Sequence, residues 1–238
     1  MAQDFCHLHV HTHYSLLEGL GSPRQFIEQA KALGQRSLAI TDFGNLYGAI
    51  EFYKAAKEAD IHPVIGVELY LAINSRKDRR PKIDHRSHHL ILLAENQKGY
   101  ENLLQLVTRS HLEGFYFRPR VDFELLEQYR EGLICLTSDQ RGIVSHFLLS
   151  GMREEALAAL KRLQELYGQD KVFVELQQHP QLENQNVLNP LLLEVAKAAN
   201  APLVATNDVH YRNPEDSEAQ DVLFCIRENR SISDTHRS

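Results

Sequence analysis

The chain has 238 residues, 43% of them hydrophobic, with 26 Lys and Arg against 32 Asp and Glu for a net charge of -6. That balance excludes a general basic nucleic-acid clamp and leaves room only for local phosphate contacts; no window approaches the roughly 18 apolar residues of a membrane helix, so a cytoplasmic protein without membrane contact is expected. Thirteen histidines are about twice the usual share, whereas Cys6, Cys135 and Cys225 are widely spaced in apolar surroundings and read as free buried thiols.

Residues 7–15 read HLHVHTHYS, with His7, His9, His11 and His13 at alternate positions and Leu8 and Val10 between them. In a strand the four imidazoles share one face and the apolar pair the other. Residues 5–11 form the first of seven short apolar runs, the others being 36–41, 63–71, 89–94, 132–137, 171–176 and 202–206. Nearly every run is followed by a helical pattern. The first helix opens at Ser22 with Pro23 and a capping box through Gln25, and stops at Gly34. Further helices are predicted over 46–59, 97–110, 122–130, 140–166 with a break near Gly151, 187–200 and 214–226. Residues 74–87 carry Arg76, Lys77, Arg79, Arg80, Lys82 and Arg86 with almost no apolar residue. A mobile loop on the site face is expected there, either simply solvated or attracting phosphate.

Strand and helix in alternation imply parallel pairing with right-handed crossovers, in an open doubly wound sheet or a closed or nearly closed (β/α) barrel. Ligand-type residues at the strand ends favour the barrel, where those ends converge on one face. They are His9 and His11 with Glu18 beyond, Asp42, Glu68, His89, Asp139, His179, and Asp208 with His210. Histidine and carboxylate without paired cysteine is the donor set of catalytic zinc, manganese or iron. The whole of 1–238 reads as one domain.

In that order, His9-x-His11-Thr-x-x-Ser15, Ala39-Ile-Thr-Asp42 with Gly44-Asn45, Gly66-x-Glu68, His89-Leu-x-Leu-Leu-Ala94, Gly99-Tyr-x-Asn-Leu103, Glu113-Gly-Phe115 with Pro119-Arg120, and Ala205-Thr-Asn-Asp-x-His-Tyr211 resemble the PHP (polymerase and histidinol phosphatase) family. The likeness covers essentially the whole chain. It is strongest to the polymerase branch, the domain at the N-terminus of bacterial DNA polymerase III alpha subunits.

The resemblance implies a distorted (β/α)7 TIM-like barrel with two to three divalent ions, zinc or manganese and as a further candidate magnesium. It implies one ion on His9, His11, Glu68 and Asp208, a second on Glu68, His89 and Asp139, and a third on Glu18, position 43 and His210. Position 43 is phenylalanine here, which places the third site in question, and Asp139 stands where many polymerase relatives have cysteine. The implied activity is phosphodiester hydrolysis as a 3′ to 5′ exonuclease on a DNA primer 3′ end, with Asp42, His179 and His210 placed to hold a water or protonate the leaving oxygen. Two alternatives are a decayed scaffold that stabilises the polymerase and docks a separate proofreading exonuclease subunit, and a free-standing histidinol-phosphatase-type enzyme. The chain ends at Asp234-Thr-His-Arg-Ser238 about where an alpha subunit would pass into its other polymerase domains, so an excised domain is expected.

Overall fold

The computed structural model describes residues 5–179 and 181–234; the last four residues of the stretch read as leading into a further domain lie outside them. The helices form where capping and periodicity place them. α1 (Pro23–Ala32) has the Ser22–Gln25 capping box, and α2 (Ala49–Ala59) ends on a left-handed Asp60. α3 (Gln97–Leu112) and α4 (Phe123–Gln128) are capped by the side chains of Asn96 and Asp122. The long pattern over 140–166 divides into α5 (Ile143–Leu149) and α6 (Arg153–Tyr167) around Gly151 at φ +76°. α7 (Glu183–Ala199) and α8 (Ser217–Glu228) complete the set.

Six strands follow the predicted runs: β1 (Ser37–Ile40), β2 (His62–Ala72), β3 (Ser87–Ala94), β6 (Leu133–Leu136), β7 (Val172–Gln177) and β8 (Leu203–Thr206). β4 (Phe115–Tyr116) and β5 (Arg118–Val121) are additional, a short hairpin on the outer half of β2. The sheet runs β1-β2-β3-β6-β7-β8, and residues 7–11 tie its two ends together. The amides of Ala39 and Thr41 donate to the carbonyls of His7 and Val10, and the His11 and Val209 amides donate to Val209 and His9. Seven extended segments thus close a ring.

Two expectations are corrected. β3 is antiparallel to both β2 and β6, because 74–86 contains no helix to carry a crossover and simply reverses the chain. The reversal is useful: it brings His89, near the start of its strand, to the face where the parallel strands end. The basic segment is also tied down rather than mobile. Arg120 is 1% exposed and donates to the carbonyls of Gly114, Asp84, Arg76 and Asp78. Buried Arg76 pairs with Glu113 at 2.7 Å and Asp122 at 2.8 Å.

Alternation along the strands separates the ring's interior from its exterior. On β3, Leu90 and Leu92 join the large outer cluster under α3 to α7, whereas Ile91 and Leu93 pack with Ala39 and Leu136 inside. On β2, Gly66 must be glycine, since a Cβ there would lie 2.5 Å from Leu93 Cδ2 and 2.8 Å from the Leu92 carbonyl oxygen. The first apolar run breaks this alternation. Leu8 packs with the interior cluster and Val10 with a separate outer cluster under α1 and α2, against Phe26 and Phe52, so residues 5–11 are extended but not a regular strand. Of the four alternating histidines in 7–15, His9 and His11 are buried in the site, His7 is half-buried and His13 is exposed.

Candidate metal centre

The interior floor of apolar side chains is topped by a bowl of imidazoles and carboxylates. His9 and His11 enter from the ring-closing segment, Glu68 from β2, His89 from β3, and Ser138 and Asp139 from the end of β6. Asp208 and His210 follow β8. Ser138 at φ +64° and Asp208 at φ +44° hold left-handed backbone just beyond their strands, a costly conformation retained where the surroundings fix it. Glu68 is set by the extension of β1: its amide donates to the Asp42 carbonyl and its own carbonyl accepts from Gly44.

Three imidazoles have their protons assigned by what lies behind them. His9 Nδ1 is 2.7 Å from Glu175 Oε1, and His210 Nδ1 is 2.7 Å from the Glu18 carbonyl oxygen. His11 Nδ1 is 3.0 Å from Ser15 Oγ, whose own hydrogen goes to Asp42 Oδ1 at 2.6 Å. Each Nδ1 is therefore a donor, and each Nε2 turns a lone pair inward. The inward atoms converge: His9 and His11 Nε2 are 3.0 Å apart and each is 3.0 Å from Glu68 Oε2. Asp208 Oδ1 lies 3.1, 3.4 and 3.0 Å from the Nε2 atoms of His9, His11 and His210, yet it is a buried oxygen with no hydrogen bond. Ligands about 2.1 Å from a tetrahedral zinc ion are spaced by about 3.4 Å. Lone pairs and carboxylate oxygens packed at that spacing fit a cation.

Glu68 is shared with a second set. Its Oε1 is 2.8 Å from His89 Nδ1 and accepts from Ser138 Oγ at 2.6 Å. His89, Glu68 and Asp139 present donor atoms close enough for one ion, as do His9, His11 and Asp208. Asp139 also pairs with Arg141, Nε to Oδ2 at 3.0 Å. Burial opposes charge on His9, but Asp208, Glu175 and Glu68 hold its pKa well above the ordinary value, and the same balance, burial against the adjacent Asp208 and Glu68 carboxylates, brings His11 to about 9. Glu68 and Asp208 are held well below the usual carboxylate range, burial opposing and the histidines prevailing.

The remaining residues singled out in the sequence fall elsewhere. Asp42 stands behind His11, both oxygens engaged: Oδ1 by the Thr12 amide and Ser15 hydroxyl, Oδ2 by the Thr12 hydroxyl. His179 is half-buried after β7, and among the described residues its side chain joins none of the cluster's hydrogen bonds or ion pairs. Phe43 stacks on His11 with ring centroids 4.0 Å apart and meets His89 edge-on. Glu18 is buried but pairs with arginines, 3.0 Å to Arg227 and 3.6 Å to Arg118.

Glu175 and Gln177 are not singled out in the sequence, and Ser15 and Ser138, which lie in its motif and at its strand end, carry no assigned role there. Glu175 had a signal, since Phe173, Glu175 and Gln177 alternate along VFVELQ and must share the interior face of β7. Beside the cluster opens a cavity of about 570 Å³, lined by Glu18, Tyr70, Arg86, His89, Arg118 and Arg141 among others.

The profile of the PHP domain family matches residues 7–179. The chain is 47% identical over 234 residues to the DNA polymerase III subunit alpha of Treponema pallidum (strain Nichols), an alignment covering 98% of this chain and 20% of that protein. It spans about a fifth of the length of the curated relatives it matches. Among solved structures, an amidohydrolase from Chromobacterium violaceum with bound sulfate and no metal superposes with a TM-score of 0.56 at 14% identity, covering 89% of each chain. A protein provisionally described as a metal-dependent phosphoesterase, from Bifidobacterium adolescentis, gives 0.54 at 13%, covering 92% of this chain and 96% of the other. At these identities the two structures show the fold alone.

Proposed function

Because this chain belongs to the PHP domain family and is homologous to the N-terminal region of DNA polymerase III alpha subunits, we propose that it is a metal-dependent phosphoesterase domain of such a polymerase. We assign it trimming of a DNA primer 3′ end in the cytoplasm, beside the other polymerase domains of the same chain. The observation that carries this reading is the placement of Glu68, one oxygen against His9 and His11 and the other against His89. A carboxylate spanning two donor sets is the bridge a two-ion phosphoesterase requires. When bound, divalent ions there would supply Lewis-acid polarisation of a phosphoryl oxygen and an activated water.

The chain's own residues do the rest. Glu175, Ser15 and the Glu18 carbonyl fix the tautomers of His9, His11 and His210. Of Asp42, His179 and His210, His210 alone places a ring nitrogen in the cluster, and its Nε2, 3.0 Å from Asp208 Oδ1, is the atom placed to exchange a proton with water. Arg118 and Arg141 line the adjacent cavity and suit the non-bridging oxygens of a phosphodiester. Asp139 beside hard carboxylates favours manganese or magnesium over zinc in the second set.

The test is a 3′-labelled primer incubated with Mn²⁺ or Zn²⁺, beside His9→Ala and with the ions per chain counted. Shortening from the 3′ end that His9→Ala abolishes is the expected result. An inert protein that binds its ions fully would instead support a scaffold that docks a separate proofreading exonuclease subunit, a reading favoured by the filling of the third position by Phe43.

A further inference from the structure

The place where a third cation would sit is occupied from α8. Arg227 Nη1 lies 3.0 Å from Glu18 Oε2, and Arg118 Nη1, from β5, lies 3.6 Å from Oε1 of the same carboxylate. Glu18 is 5% exposed, and a carboxylate so buried requires a compensating charge. Two guanidinium groups supply it. The other two members of the position are engaged as well. Phe43 has no donor atom and packs on His11, and His210 spends Nδ1 on the Glu18 carbonyl and directs Nε2 at Asp208. Gln220, one helical face with Arg227, donates to that same carbonyl, so α8 holds the Glu18 loop by backbone and side chain together. These residues do not fit a third ion.

We propose that Arg227 and Arg118 stand in for the third cation, neutralising Glu18 and leaving Arg118 as a fixed receptor for a non-bridging oxygen of the phosphate ester. Arg118 is suited to this: its side chain is 47% exposed, it lines the cavity beside the cluster, and its Nη1 is steadied by the Tyr70 hydroxyl at 3.0 Å. A guanidinium offers several donors in one plane, so it can keep Glu18 and still donate another N–H to a phosphate oxygen. The inference rests on the two-ion phosphoesterase reading and specifies how its site receives phosphate.

The test counts Mn²⁺ per chain in reconstituted protein after desalting, by elemental analysis. Wild type and Phe43→His should each hold two ions, and Phe43→His with Arg227→Gln should hold three. Three ions in wild type or in Phe43→His alone would overturn the proposal, as would two in a double variant with a native circular dichroism spectrum. Glu18→Gln tests the same point without changing a residue of α8: the count should stay at two, and a fall by one would make Glu18 a ligand and overturn it. Arg118→Gln should keep two ions but bind inorganic phosphate about tenfold more weakly by calorimetry; unchanged affinity overturns the receptor role. No Mn²⁺ in any of these proteins would refute the two-ion reading itself and this inference with it.

Discussion

His9 and Glu175, 166 residues apart in the chain, meet at 2.7 Å between Nδ1 and Oε1 with both side chains fully buried. Glu175 Oε1 also accepts from Gln177 Nε2 at 2.8 Å and from the Thr206 hydroxyl, so the carboxylate is held by its neighbours while it holds the imidazole. A carboxylate behind a metal-binding histidine fixes the ring and makes its free nitrogen more basic. Glu175→Gln keeps an acceptor oxygen but loses the charge. Its Mn²⁺ affinity should fall about 10- to 100-fold, with the fold intact by circular dichroism. Titration calorimetry decides it, and unchanged affinity would reduce Glu175 to a packing role.

Asp42 acts on His11 through Ser15, so Asp42→Asn and Ser15→Ala should injure the same interaction. Each is expected to weaken Mn²⁺ binding, and the double variant should be little worse than the poorer single one, as residues in one hydrogen-bond chain are not additive. A direct proton carrier behaves differently, losing about 10²- to 10⁴-fold in rate with ion binding preserved. Measuring affinity and turnover on the same four proteins separates the two.

Arg120 is the support of the basic segment. It donates at 3.1, 2.8, 2.9 and 2.7 Å to four backbone carbonyls, a pattern only a planar guanidinium can satisfy. Arg120→Met should leave those oxygens without donors and cost about 3 to 5 kcal/mol of unfolding free energy. Arg120→Lys should recover only part of it. Urea unfolding gives the magnitude, and hydrogen exchange should show lost protection concentrated in residues 74–86.

How much of this was legible depends on the range of the interactions. The Ser22–Gln25 capping box, the interruption at Gly151 and the strand runs are local signals, and they appear where the sequence places them. The convergence of His9, His11, Glu68, Asp139, Asp208 and His210 on one face follows from strand ends meeting in a ring, whereas His89, near the start of β3, joins them only because that strand is reversed. That reversal is not legible: an apolar-poor stretch announces a loop, but its direction of return is decided by pairing with β6. Arg76 and Arg120 sit in or beside charge-rich stretches that look solvated, and only the distant Glu113, Asp122 and exposed backbone carbonyls make them buried. Arg227 carried no signal, because its contact with Glu18 spans nearly the whole chain. Asp42 was recognised as a site residue, but its place behind His11 depends on the turn that brings Thr12 and Ser15 over it.

Acid should loosen the basic segment before it reaches the core. Asp84 Oδ2 accepts from the Arg80 amide at 2.6 Å and Nε at 2.9 Å, and Oδ1 from Nη2 at 2.8 Å. The Arg80 guanidinium, working against burial, holds the Asp84 carboxyl at about 2, below the 3.8 of an unperturbed aspartate. A depressed carboxyl stabilises the fold while the unfolded chain would also be ionised, that is, fully above pH 3.8, and the contribution disappears as pH falls through about 2. Asp84→Asn removes the ionisation without removing the side chain. Wild type should therefore be the more stable of the two at pH 5 to 7, and the difference in melting temperature should shrink between about pH 4 and 2. Glu113, lowered by hydrogen bonds from Arg76 and Arg109, is common to both proteins and cancels in the comparison. A gap that stays constant down to pH 2 would mean that Asp84 serves as a neutral hydrogen-bond acceptor, and that the Arg80 charge does not hold the loop.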